Sequence, residues 1–327
     1  MPDMARLAAT LAVSALLTLA LVPVVLVVLH RRSIVDSPNE RSSHLVPTPR
    51  GAGFAQAVGL AVALAVTWVA PVAAPVAALG FSAIGMADDL RPRRAALRLV
   101  LQGGVAVVVV VLLYNGGDRG LVSAALLAVV SVVWLLYIVN ATNFMDGVNG
   151  ISIAHGVVFG LAYAAILWNA GAADWSLLAV ALVGVSLAVF PWNWGRSARV
   201  FLGDSGSYLL GGSVGALALA ACLTGAGVIV ALAPVAVYLA DTLSTLIWRA
   251  GRREPLMTAH RDHVYQRLVR RGWTHPQTAL TVVGFSAGCA VVALLLQRGS
   301  VSAWVALILL AGVVAVYLAL PRMVRAA

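Results

Sequence analysis

Of 327 residues, 61% are hydrophobic and 10% charged, and the mean hydropathy is +0.96, which excludes an ordinary water-soluble globular protein. The formal charge is +10, and all 22 basic residues are arginine because the chain has no lysine. A nucleic-acid-binding protein carries such charge on a solvated face. Here the arginines fall in short clusters between uncharged stretches long enough to cross hydrocarbon, so the composition predicts an all-α polytopic membrane protein with no nucleic-acid partner.

The first apolar stretch, Leu7 to Leu29, is longer than a usual signal-peptide core and has no convincing small-residue cleavage site, so it predicts a retained transmembrane helix. Division at charges, prolines and glycine turns gives eleven spans in all, at about 7–29, 51–69, 72–87, 97–115, 120–139, 150–169, 175–192, 206–223, 226–248, 277–296 and 300–320. The second and third are separated by little more than the Ala70 to Pro75 turn, and the eighth and ninth by Leu223 to Gly227. Cys222 and Cys289 lie inside apolar stretches without a CxxC pattern, so no disulfide framework or zinc site is implied. One transmembrane domain over 1–327 is expected, with loops at about 30–50, 88–96, 140–149, 193–205 and 249–276 on one face.

Alternation across eleven spans leaves Arg6, Arg119 and Arg298 on one side, balanced by Asp3, Asp118 and Asp174, and puts the other nineteen of the 22 arginines opposite. The positive-inside rule then predicts an amino terminus outside and a cytoplasmic carboxyl terminus.

Five polar segments share the arginine-rich side. The turn-forming stretch from Asp36 to Gly51 reads either as a solvated connector or as a phosphate-contacting loop using Arg41, Ser43, His44 and Arg50. Asp88 and Asp89 end an apolar helix, where two anions oppose the macrodipole. Pairing with Arg91, Arg93 or Arg94 would relieve that conflict, and so would a divalent cation. The segment from Asn140 to Gly150 has more amides and carboxylates than capping needs, and polar groups at membrane depth mark Asn140, Asn143, Asp146 and Asn149 as ligand contacts. Asp204 sits between glycines ahead of an apolar helix, as an N-cap or as part of a close backbone approach to an anion. Last, His260 and His263 share a face if helical; phosphate or nucleotide contact suits them better than zinc, while Arg249, Arg252 and Arg253 also suit anionic headgroups.

In order and in register, Asp88-Asp89, Asn140-x-x-Asn-Phe-Met-Asp-Gly-x-Asn-Gly150, Phe201-Leu-Gly-Asp-Ser-Gly-Ser207 and His260-x-x-His263 resemble the polyprenyl-phosphate N-acetylhexosamine-1-phosphate transferases, glycosyltransferase family 4. The resemblance runs from about Asp36 to Gln266 and is nearest to the branch that starts O-antigen and related surface polysaccharides, through Asp36 to His44, Pro47 to Arg50 and His260 to Gln266. It departs from the lipid I synthase, which has a triple histidine where this chain has two separated ones, and Asn149 stands where many relatives carry a second aspartate.

The resemblance implies transfer of an N-acetylhexosamine 1-phosphate, or a 6-deoxy analogue, from a UDP-sugar to undecaprenyl phosphate with release of UMP. It implies magnesium, with manganese as a substitute, and a bacterial inner-membrane enzyme working at the cytoplasmic face, with a homodimer left open. Asp204 would be the principal metal ligand with Asp89 beside it, and Asp88 the group that accepts a proton from the lipid phosphate. Arg41, His44, Arg50, Asn140, Asn143, Asp146, Asn149, His260, Arg261 and His263 would bind substrate. The alternative from another class is a secondary transporter with a cytoplasmic-side anion site, but transporter sites lie near the midplane between repeats, whereas these groups gather at one interface.

Overall fold

The computed structural model describes residues 3–37, 46–67, 70–114, 121–255 and 260–324. Arg41, Ser43, His44, Asp118, Arg119 and Arg325 therefore lie outside the described residues. In hydrocarbon every backbone polar group needs an internal partner, so long apolar runs become helices. The elements are α1 (Met4–Arg31), β1 (Val35–Asp36), β2 (Thr48–Pro49), α2 (Gly53–Thr67), α3 (Ala73–Leu90), α4 (Ala95–Tyr114), α5 (Leu121–Phe144), α6 (Ile151–Asn169), α7 (Ala173–Asn193), α8 (Gly203–Leu223), α9 (Val228–Leu232), α10 (Ala236–Gly251), α11 (Val264–Arg270), α12 (His275–Gln297) and α13 (Ala303–Met323).

Among the described residues ten spans are long and apolar enough to cross a membrane, with α9 and α10 together forming one of them. The protein is thus an all-α, multi-pass membrane protein. The eleventh expected span, 51–69, is α2, whose 15 residues reach about 22 Å, short of a hydrocarbon core of about 30 Å. It starts late because Gly51 takes a φ of +130° and the N–H groups of Gly51 and Ala52 donate to the Phe201 carbonyl. The ninth span is broken between α9 and α10 by a 3-10 turn, Ala233–Val235, containing Pro234, which has no N–H to continue the helical ladder.

Buried residues make up 83% of the apolar stretch of α8 and 78% of that of α7, against 11% for α13 and 22% for α1. That sets α7 and α8 at the centre and α1 and α13 against lipid. α8 packs on α2, α3, α5, α6 and α7. Lipid tails are as apolar as the helices, so association depends on close approach at small residues. One such approach joins α3 to α8: a Cβ on Gly85 would lie 2.1 Å from the Asp204 carbonyl oxygen.

β1 and β2 pair antiparallel, Val35 with Pro49 and Asp36 with Thr48, and Arg50 bridges to Phe201 in parallel. This short ladder pins the first polar segment to the start of α8.

Gly85→Ala is expected to push α3 off α8 and lower the unfolding midpoint in detergent by several degrees, an overpacking cost of about 1–3 kcal/mol. Gly103→Ala in α4, where a Cβ meets nothing within 4 Å, should leave the midpoint unchanged in the same thermal-unfolding measurement.

Candidate active site

Four helices deliver the carboxylates and amides to one end of the bundle. Asp88 and Asp89 occupy the last turn of α3, where the dipole disfavours them, and each is compensated in a different way. Asp89 points into the amino terminus of α8: its Oδ1 accepts the Asp204 N–H at 2.9 Å and its Oδ2 the Ser205 N–H at 2.9 Å. Arg50 Nε lies 3.1 Å from the same Oδ1. The anion facing the α8 amides is therefore this side chain. Gly203 permits it, with φ at +75° and a Cβ position 2.5 Å from Asp89 Oδ2, so a side chain there would meet both strain and the carboxylate.

Asp88 accepts the Arg93 N–H at 2.8 Å, and its Oδ2 is 3.0 Å from Arg98 Nη1. The same guanidinium nitrogen is 3.4 Å from Asp204 Oδ2. Asp204 Oδ1 accepts from Asn143 Nδ2 at 3.1 Å, and Asn143 also reaches Ser207 Oγ at 3.0 Å. One arginine thus bridges two carboxylates from helices far apart in sequence, with the side chain of Asp204 more open than that of Asp88, 15% against 6%.

α5 continues to Phe144, so Asn140 and Asn143 lie in its last turns rather than in the loop expected over 140–149. Their side chains are satisfied sideways, which lets the helix continue past them: Asn140 Nδ2 donates to Gln102 Oε1 and to the Leu136 carbonyl, both at 2.8 Å. Asp146 follows in the turn before α6, half-buried. Withdrawal from water, opposed by the Ser152 hydroxyl and reinforced by the charge of Asp89, pushes its pKa up to about 6. Asn149 clips loops together. Its Nδ2 donates to the carbonyls of Gly195 at 3.1 Å and Arg196 at 3.3 Å, and its N–H to His275 Nδ1 at 3.3 Å.

The histidine segment is not one helical face. Residues 260–262 are irregular, and His263 is the N-cap of α11. Asp241, fully buried in α10, fixes it: Oδ1 lies 3.0 Å from His263 Nδ1, and both carboxylate oxygens accept the Val264 N–H at 3.1 Å. Tyr317 of α13 donates to Asp241 Oδ2. From α11, Tyr265 donates to the Phe144 carbonyl at 2.8 Å, which docks this segment beside Asn143. The His260 and His263 ring centroids are 5.0 Å apart. Burial first, then His263 and Arg249, push the His260 pKa down to about 4, so it is neutral at physiological pH. Arg249 is held away from the site by Asp262 at 2.6 Å and Glu254 at 3.0 Å. Arg261 is half-buried between the two histidines in sequence.

The structure thus gathers Arg50, Asp88, Asp89, Asn140, Asn143 and Asp204 at one centre, brings His260 and His263 up beside Phe144, and puts Asn149 into a supporting clip. Sequence reasoning missed Arg98, Gln102, Asp241 and Tyr265. Arg98 and Asp241 carried a signal, since an ionisable residue inside an apolar span is a functional candidate by default.

The donor set suits a magnesium-like cation. Three carboxylates, Asp88, Asp89 and Asp204, meet two guanidiniums, Arg50 and Arg98, and an incoming phosphate would add further negative charge. Among the described residues no group of three or more His, Cys, Asp or Glu side chains is placed to hold a metal ion. Magnesium commonly takes one or two carboxylates and completes its shell with water and substrate phosphates, which is what Asp88 and Asp204 can offer.

The profile of glycosyl transferase family 4 matches residues 71–222, the stretch holding Asp88, Asp89, the amide-rich turn and Asp204. A probable undecaprenyl-phosphate N-acetylglucosaminyl 1-phosphate transferase of Bacillus subtilis is 26% identical over 86% of this chain and 83% of its own length. A decaprenyl-phosphate N-acetylglucosaminephosphotransferase of Mycolicibacterium smegmatis is 29% identical over 77% of this chain and 72% of its own. A phospho-N-acetylmuramoyl-pentapeptide-transferase of Gluconobacter oxydans is 31% identical over a shorter stretch, 43% of this chain and 42% of its own length. The chain is thus similar along most of its length to enzymes named for transferring a sugar 1-phosphate to a polyprenyl phosphate, and its residues 71–222 carry the glycosyl transferase family 4 match.

Proposed function

We propose that the chain transfers an N-acetylhexosamine 1-phosphate from a UDP-linked sugar to undecaprenyl phosphate at the cytoplasmic face of a bacterial inner membrane. It would thereby open the synthesis of a surface glycan of the O-antigen kind. The observation that carries the reading is the Asp88–Arg98–Asp204 bridge with Asn143 at its edge, set where helices meet the membrane boundary. A lipid phosphate and a soluble nucleotide can meet at that boundary, and holding both reactants there removes much of the entropic barrier. Gly53 at the start of α2 and Gly85 near the end of α3 both lie against the start of α8, so α2 and α3 leave and return to the same end, and the alternation that assigns nineteen of the 22 arginines to this side supports its being cytoplasmic.

An oxygen of the lipid phosphate attacks the sugar-bearing phosphorus, and the bond from that phosphorus to the bridging oxygen breaks, so UMP leaves with the oxygen. Phosphoryl transfer of this kind needs mainly positioning and charge neutralisation. A divalent cation held by Asp204 and Asp88 would neutralise the diphosphate and the departing UMP. Asp88 is preferred here to Asp89, because both Asp89 oxygens already accept backbone N–H groups. Asp89 holds α3 and α8 in register and orients Arg50 toward the phosphates. The lipid phosphate is largely dianionic at neutral pH, since its second pKa is near 6, so it needs little help from a base. Asn140, Asn143 and Asp146 position the nucleotide. His263, with Nδ1 held by Asp241, has Nε2 left for a diphosphate or sugar oxygen, beside His260 and Arg261.

Release of UMP by purified protein in detergent should require both a polyprenyl phosphate and magnesium, and mass spectrometry of the lipid product from a panel of UDP-N-acetylglucosamine, UDP-N-acetylgalactosamine and 6-deoxy analogues should show one sugar preferred. Turnover without polyprenyl phosphate would sink the proposal.

Asp204→Asn should lower kcat by at least about 10³-fold with normal insertion and unfolding midpoint. Asp88→Asn should raise the magnesium concentration needed for half-maximal rate, whereas Asp89→Asn should mainly lower thermal stability. Near-normal turnover by Asp204→Asn would overturn the ligand assignment. His263→Ala should cut kcat/KM for the nucleotide sugar by about 10²-fold, and unchanged kinetics would make the histidine purely structural.

Asp146 gives a pH prediction. Its folded pKa is raised from 3.8 to about 6, so its contribution to stability is present below about 4 and is lost as pH rises through 6. At pH 7.5 Asp146→Asn should therefore unfold a few degrees higher than the parent while turning over more slowly. In the parent, kcat/KM should fall on the acid side near 6 with the steepness of two protons, one from Asp146 and one from the lipid phosphate, and the variant should keep only the single-proton limb of the phosphate.

A further inference from the structure

Away from the catalytic centre, four arginines converge from two elements. Arg267, Arg270 and Arg271 follow an i, i+3, i+4 spacing along α11 and its C-cap, which places them on one face. Arg322 stands in the last turn of α13, and Arg271 donates to the Val324 carbonyl just beyond it. α11 and α13 are in contact. Among the described residues none of the four arginines forms a salt bridge. Burial, and then repulsion from Arg322, Arg270 and Arg271, hold the Arg267 pKa below its ordinary value, although an arginine stays charged in that range.

The positive-inside bias needs arginines near span ends; it does not need them brought together against their own repulsion. The cluster also has a defined height. α12 begins at His275 and α13 ends at Met323, so the arginines stand at the membrane–water boundary, next to half-buried Trp273 and exposed Met323. α13 is the least enclosed span, with 11% of its apolar stretch buried, so the patch opens toward lipid. The opposite side of α11, with Tyr265 and Leu268 buried, faces the protein and the Phe144 carbonyl.

We propose that Arg267, Arg270, Arg271 and Arg322 form a binding site for the phosphate headgroup of an anionic phospholipid in the leaflet on the active-site side. Planar guanidiniums at membrane height match phosphate oxygens, and a basic pocket between transmembrane helices is the geometry that holds such headgroups. Only the headgroup is recognised; the acyl chains lie along α13.

The test is native mass spectrometry of the full chain in detergent, titrated with phosphatidylglycerol, with phosphatidylcholine and undecaprenyl phosphate as rival ligands. The Arg267→Gln/Arg270→Gln/Arg322→Gln variant leaves the Arg271–Val324 contact in place. Each arginine removed should weaken the first phosphatidylglycerol bound by about 5-fold, on the order of 100-fold for all three. Arg31→Gln/Arg32→Gln/Arg91→Gln, which removes as much charge from exposed positions on the same side, should keep parental binding. If the cluster variant unfolds early, Arg270→Gln/Arg322→Gln, both exposed, should still lose binding about 25-fold. Equal loss in the control variant, no loss in the cluster variants, phosphatidylcholine bound as tightly, or a loss confined to undecaprenyl phosphate would each overturn the proposal.

Discussion

The site depends on one contact, the carboxylate of Asp89 set against the first amides of α8. It joins the carboxyl end of α3 to the amino end of α8, so an anion that is unfavourable for its own helix becomes the cap of another. A carboxylate this deep costs several kcal/mol unless it is paired and hydrogen-bonded. Here two backbone donors and Arg50 satisfy it. The contact also requires two glycines: Gly85, for the helices to approach, and Gly203, for the backbone to turn under the carboxylate. Asp88 and Asp204 face each other across Arg98 as a consequence of that docking.

A second buried carboxylate does similar work for the histidine segment. Asp241 caps α11 through the Val264 N–H, orients His263 and receives the Tyr317 hydroxyl. Chain segments from α10, α11 and α13 are thereby tied at one point, and Tyr265 carries that assembly to the end of α5. Two acids in the molecule are thus committed to holding helix ends, whereas Asp88 and Asp204 keep one oxygen each on the partly exposed guanidinium of Arg98, their other oxygens taking the Arg93 N–H and the Asn143 amide. A cation can displace that guanidinium from the two carboxylates, and a phosphate can draw it away, more easily than either could displace a backbone amide.

Much of this was legible in the sequence. Apolar run length marked the spans because a bilayer allows little besides helices, and the grouping of Asp88, Asn143 and Asp204 on one face followed from counting spans. Helix ends were less legible. Asn140 and Asn143 look like loop residues, yet α5 carries them because their amides bond sideways to Gln102, Asp204 and Ser207. The division of labour between Asp88 and Asp89 was hidden as well, since adjacent carboxylates are equivalent until the direction of each side chain is known. His260 and His263 suggested a shared helical face, but the partner that decides their arrangement, Asp241, lies 22 residues from His263 inside an apolar span.

The arginines show how one composition serves several physical ends. Arg50 and Arg98 are spent against carboxylates, where a planar fork can touch two acceptors at once. Arg249 closes its own loop through Asp262 and Glu254. Those on α11 and at the end of α13 form no salt bridge among the described residues, and in the proposed site they turn to lipid phosphate. A bilayer boundary offers phosphates at a fixed height, so arginine there can be satisfied from outside the protein, whereas arginine at the catalytic centre must be satisfied from within until substrate arrives. The same residue type therefore acts as a structural counter-ion where the chain supplies carboxylates and as a phosphate receptor where it does not.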